Sequence, residues 1–258
     1  MAIFGLNGQL RKLWKRRRYS TRHGSAAVLL PPPHGFVRVY KFTKATYARQ
    51  ALRLGRIKLA RFSDLNDPFE FFAVSFESRE VRSTLRALKE EYDNDSALLC
   101  FSADWTDPLQ WAHYGDRHKG VCLGFNVTRS KIERVKYRAK RIQTPAADSL
   151  HPFEVDDELK KNLLYTKYSH WRYEREWRML VKLKDAKQAH GMYFRQFDAH
   201  LHLIEVIVGG SCTEDDLAGF RKLTAKRYPR AVVYQARPAL KFFGIVPKES
   251  TVPFHFVK

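Results

Sequence analysis

Trp171-Arg172-Tyr173-Glu174-Arg175-Glu176-Trp177-Arg178, running on into Met179-Leu180-Val181, is the stretch on which the reading of this chain turns. Beyond Tyr173 the segment is apolar, aromatic and β-branched in flavour, which favours a strand. Successive side chains of a strand alternate between faces, so Glu174 and Glu176 would project from one face. On a helix the same spacing would point them about 200° apart. Two acids on one rigid face can carry acid–base chemistry or stabilise an oxocarbenium ion. The same pair also reads as surface glutamates salted to Arg172, Arg175 and Arg178, and Arg178 would be an ordinary partner of Glu174 four residues away if the segment were helical.

Composition narrows the classes. At 258 residues and 44% hydrophobic, the chain can bury one large core or two small ones. No apolar run is long enough to cross a bilayer. The formal net charge is +20, and 15 of those units fall in residues 1–63, where the first acid has yet to appear (Asp64). Such asymmetry points to polyanionic partners: nucleic acid, an anionic membrane surface or a phosphate-bearing cofactor. Three cysteines, Cys100, Cys122 and Cys212, are odd in number and lack ligand spacing, which argues against a disulfide scaffold and a zinc site and for a reducing, cytoplasmic compartment. His113 and His118 stand five apart rather than four and are read as structural, so no metal site is assigned.

Residues 1–34 separate from the rest as a basic amphipathic helix or a solvated tail, with Phe4, Leu6, Leu10, Leu13 and Trp14 set against Arg11, Lys12, Lys15 and Arg16-Arg17-Arg18. A secretory signal matches poorly, because the apolar run at 26–30 is short and ends in Pro31-Pro32-Pro33; the Arg-rich, acid-free composition also resembles an organellar transit peptide. Residues 35–258 read as a single α+β domain. Strands are expected at 36–40, 57–62, 97–101, 120–125, from Glu174 to Val181 and at 203–208. Helices are expected after Thr43 to a stop at Gly55, after Ser78, after Asp107-Pro108, near 156–168, and after Thr213 in a closing β-α-β unit. Asn66-Asp67-Pro68 reads as a turn that can also line a pocket wall, and Glu70 as a surface acid.

Several of these pieces, in order, resemble a bacterial family known as domain of unknown function 2971. They are Tyr40-Lys41, Phe62-Ser63 with Asn66 to Glu70, and Cys100-Phe101-Ser102; then Leu109, Trp111, Tyr114, His118, Gly120, Cys122, Gly124 and Phe125; and last Lys167, Trp171, Glu174, Glu176, Arg178 and Glu205 to Gly209. Their order is also similar to that of the ADP-ribosyltransferase superfamily: Val39-Tyr40-Lys41-Phe42-Thr43 for its first motif, Phe101-Ser102 with Trp111/Tyr114 for its second, and Glu174-Arg175-Glu176 for its third. Lys41 departs from the more usual His or Arg, and the second motif lacks a double hydroxyl. That resemblance implies a mixed, split β-sheet core with flanking helices and an enzyme that uses NAD. It assigns Glu176 to the ribose and Glu174 to the acceptor, with Trp111 and Tyr114 stacking on nicotinamide. Tyr40, Lys41, Ser102, Arg178 and Asn66 would hold the rest of the dinucleotide. The implied activity is transfer of ADP-ribose to nucleic acid or protein, in a toxin or phage-defence effector. Two other readings stay open: a metal-dependent nuclease using Asp64, Asp67, Glu70 and the glutamate pair, and a non-catalytic nucleic-acid-binding module driven by the basic first quarter.

Overall fold

The structure, a computed structural model, describes residues 31–75, 78–143 and 155–248. The basic helix or tail expected at 1–34 falls outside the described residues except for its last four. In chain order the elements are β1 (Phe36–Thr43), α1 (Ala45–Leu54), β2 (Arg56–Lys58), α2 (Arg79–Asp95), β3 (Ser96–Ser102), α3 (Pro108–His113), β4 (Val121–Thr128), β5 (Glu133–Arg134) and β6 (Lys136–Arg138). They continue as α4 (Asp157–Tyr165), β7 (Thr166–Tyr168), β8 (Glu176–Lys182), β9 (Lys187–Ala189), β10 (Met192–Gln196), β11 (Leu201–Val208), α5 (Glu214–Arg227), β12 (Val232–Pro238) and β13 (Ile245–Pro247). Among the described residues no helix is long and apolar enough to cross a membrane.

Eight strands form one mixed sheet in the order β13-β12-β11-β4-β1-β3-β8-β5. Within this sheet the pairings are antiparallel except β11 with β12, which α5 joins as the expected β-α-β unit. Period-two alternation sorts the side chains. Val39, Leu99, Leu123, Phe125 and Val206 face α1 and α5 in the largest core cluster. Tyr40, Phe42, Cys122 and Ile207 face the opposite way, onto Trp105 and Trp111, while Leu98 on the same side packs on α2 and α4. The chain is therefore a mixed α+β protein with helices on both faces of a large curled sheet.

Helix punctuation follows the residues. Ser78 accepts from the Val81 N–H, Asp107 accepts from Leu109 with Pro108 at the first helical position, and Thr213 makes a capping box with Asp216. Gly55 ends α1 at φ 63, where a side chain would be strained. Thr43 is not the cap expected of it; it is the last residue of β1, and Lys44 begins α1 without a side-chain cap.

One irregularity of the sheet shapes the site. β1 pairs with β4 along its whole length but meets β3 at a single position, Tyr40 with Ser102. Two pairs of residues further along the same edge of β3, Leu98 is bridged by Ala60 instead, through two 2.8 Å backbone hydrogen bonds. Between these contacts the strands splay, and the opening is filled by neither.

Candidate functional site

A cavity of about 420 Å³ occupies that wedge, with walls from β1, β3, α3, the 60–70 loop and the glutamate segment. The volume lies in the range of small-molecule sites, about 300–1,000 Å³. Across its floor Tyr40, Ser102 and Glu176 stand abreast on three adjacent strands, since Ser102 is in register with Tyr40 on one side and Glu176 on the other.

The glutamate pair converges by a different route from the one the spacing suggests. β8 begins at Glu176; Ser169–Glu174 is a 3-10 turn, and Arg175 between them is left-handed at φ 46. The kink removes the simple alternation, and Lys167 brings the two acids together. Its ammonium lies 2.8 Å from Glu174, 3.3 Å from Glu70 and 3.5 Å from Glu176. Arg178 then bonds Glu176 and Glu70 bidentately (2.8 and 2.9 Å; 2.7 and 2.9 Å) and the Leu164 carbonyl at 2.8 Å. These five bonds use all five guanidinium donors. Glu70 is thus a buried member of the network rather than a surface acid. Three buried carboxylates facing two buried cations leave the cluster one negative charge in excess when all are ionised.

The two glutamates are held in different states. Burial pushes Glu176 up, but Arg178, and then Lys167, outweigh it and hold the carboxyl down at about 2. Glu174 goes the other way: burial raises it, Lys167 only partly offsets this, and the Glu176 charge raises it further. The Tyr114 hydroxyl donates to Glu174 at 2.5 Å and receives the Asn66 amide at 3.2 Å, and burial with the Glu174 charge raises its pKa. One carboxylate is locked as an anion. Burial and the Glu176 charge disfavour ionisation of the other.

The remaining site residues divide sharply. Asn66, Tyr114, Lys41 and Tyr40 border the cavity, although the Tyr40 hydroxyl is turned away to Glu205 at 3.3 Å and offers only its ring. Gly124 makes room for that contact, because a Cβ there would sit 2.8 Å from the Cβ of Glu205 and 3.1 Å from the Tyr40 ring. Ser102 borders the cavity but is committed to structure: its hydroxyl lies 2.7 Å from the Glu174 carbonyl and receives the Gln110 amide at 2.7 Å, so it fixes the glutamate turn. Two expectations fail. Trp111 is fully buried, edge-on to Phe42 at 5.1 Å with its indole N–H on the Trp105 carbonyl, so it cannot stack on a nicotinamide. Arg178 has no donor left for a pyrophosphate. His118 stacks on Trp111 with ring centroids 6.2 Å apart.

Three further residues complete the site: Gln110, which the sequence did not single out, Lys167, noted only as a motif residue, and Glu70, read as a surface acid or a nuclease metal ligand. Each is a polar residue in a segment otherwise rich in apolar side chains, and that contrast was the available signal. Among the described residues no group of three or more His, Cys, Asp or Glu side chains is arranged to hold a metal ion.

Residues 110–179 match the model of a family described as "Protein of unknown function (DUF2971)", which supports the family read from the motifs. The matched span runs from Gln110 through Tyr114 and Lys167 to Glu174, Glu176 and Arg178, so it covers most of the charged network. No curated protein and no solved structure matches the chain.

Proposed function

We propose that the protein is an ADP-ribosyltransferase-like enzyme that cleaves NAD and transfers ADP-ribose to a nucleic acid or protein acceptor, in the manner of a toxin or phage-defence effector. The observation that carries this reading is the row Tyr40–Ser102–Glu176 on three neighbouring strands, at the place where the sheet splits around a cavity. Three short motifs far apart in the chain, the ones that carry the resemblance, each contribute a residue there.

The chemistry fits the electrostatics. Breaking the nicotinamide–ribose bond sends the electron pair out with neutral nicotinamide and leaves positive charge on the ribose, as in glycoside hydrolysis. The Glu176 carboxylate, kept ionised by Arg178, supplies the fixed negative charge that stabilises that state. An acceptor hydroxyl or amine then bonds to the ribose carbon and gives up a proton, and Glu174, with its raised pKa and its link to Tyr114, is the group suited to receive it. Lys41 remains as the cation at the cavity wall for a phosphate or ribose oxygen, as a point charge rather than a fork. The nuclease reading is less well supported, because Lys167 and Arg178 already stand among Glu70, Glu174 and Glu176 where a divalent cation would have to sit.

Incubating the full chain with NAD and candidate acceptors, and following nicotinamide release, tests the proposal. Release that falls about 10²–10⁴-fold in Glu176→Gln supports it. No release with any acceptor, or release indifferent to Glu176→Gln, overturns it.

A further inference from the structure

β8 presents Glu176 to the cavity just described, and the next residue, Trp177, to a second depression of about 1030 Å³. Four arginines line it: Arg38, Arg134, Arg172 and Arg175. Arg38 is engaged by Glu205 at 3.1 Å and Arg175 by Asp104 at 3.2 Å. Arg134 and Arg172 are exposed and enter no ion pair with another described residue. Asp107, the other acid in the wall, caps α3 and keeps its charge, so four arginines face two carboxylates in the lining. The groove therefore keeps a positive excess.

Three half-buried aromatic rings, Tyr137, Tyr173 and Trp177, stand among those cations. Trp177 carries the Arg129 guanidinium over its ring at 4.9 Å. Guanidinium groups that track a backbone, interleaved with rings that offer a face or edge to a base, are what a flexible single strand needs. A duplex keeps its bases stacked on one another and cannot use the rings. Tyr40 walls both cavities, and the Tyr173 ring lies 6.2 Å from that of His113, which borders the glutamate cavity.

We propose that this groove binds single-stranded nucleic acid. Binding stands on the groove alone; that the bound strand supplies the acceptor nucleotide rests on the NAD reading above. The test is fluorescence anisotropy of the full chain with labelled single-stranded DNA and RNA and the corresponding duplexes, across a salt series and without NAD. The Arg134→Gln/Arg172→Gln double variant should lose affinity for single strands, and its salt slope should flatten by about 1.4, two contacts at about 0.7 each. Tyr173→Leu should weaken binding about five- to a hundredfold with the slope unchanged. Melting temperatures near wild type would show that both variants fold. Unchanged affinity in both variants would overturn the proposal. Duplex bound as tightly and lost in parallel would overturn it as well, because it would reduce the groove to a general polyanion surface. Since NAD is absent from this assay, failure of the NAD reading leaves its result intact.

Discussion

Arg178 is the most exposed point of the account, although no solvent reaches it. Replacing it by Met keeps bulk and removes five hydrogen bonds, leaving Glu70 and Glu176 buried with Lys167 as their only cation. Breaking a buried ion pair by deleting one partner costs about 3–5 kcal/mol, a large share of the roughly 5–15 kcal/mol that holds a domain folded. The pH dependence carries its own sign. Glu176 is depressed in the folded state from 4.5 to about 2, so it stabilises above about pH 4.5 and that contribution fades as pH falls toward 2. At about 1.4 kcal/mol per unit, roughly 3 kcal/mol is at stake. Urea unfolding of wild type and Arg178→Met should therefore show a gap of about 3–5 kcal/mol at pH 7 that narrows through the acid range. The triple variant Glu70→Gln/Arg178→Met/Glu176→Gln should recover much of the loss, because it removes the orphaned charges. A gap under about 1 kcal/mol at pH 7, or one that does not change with pH, would refute the buried, coupled network.

Glu174→Gln should lower transfer of ADP-ribose to the acceptor about 10²–10⁴-fold while leaving urea stability at or above wild type, because the raised pKa marks a carboxylate whose ionisation burial disfavours. In wild type that same residue works opposite to Glu176: its contribution is present below the ordinary glutamate pKa and is lost as pH rises through the raised value, so Glu174→Gln should remove that fall from the stability–pH curve. Gly124→Ala should cost about 1–3 kcal/mol by thermal or urea unfolding, because its Cβ would press on Glu205 and Tyr40. Trp111→Phe should reduce stability through the lost Trp105 hydrogen bond yet leave the KM for NAD unchanged, in contrast to substitution of a residue that touches the dinucleotide.

Local patterns were legible where a single physical rule decided them. The caps at Ser78, Asp107 and Thr213 and the stop at Gly55 follow from side-chain chemistry within a few residues, as do the apolar runs of β3, β4 and β11. The glutamate pair was found, but its geometry was misjudged: nothing in Glu174-Arg175-Glu176 announces a left-handed Arg175, which is fixed by Ser102 and Gln110 holding the Glu174 carbonyl from another part of the chain. Trp111 illustrates the opposite limit. A tryptophan on a short helix reads equally well as ligand platform or core, and only the packing of Phe42 and the Trp105 carbonyl decides for the core. Glu70 and Lys167 needed long-range contacts over more than 90 residues, and neither periodicity nor composition carries that information.

The central claim is that the cavity at the split of the sheet takes NAD. Melting the full chain across a series of NAD concentrations tests it most directly, since a ligand bound only to the folded state raises stability by RT ln(1 + [L]/Kd). The account predicts a melting temperature that climbs with NAD, and a shift that is lost in Lys41→Ala but retained in Trp111→Phe. A melting temperature indifferent to millimolar NAD, or a shift that Lys41→Ala leaves intact and Trp111→Phe abolishes, would contradict it.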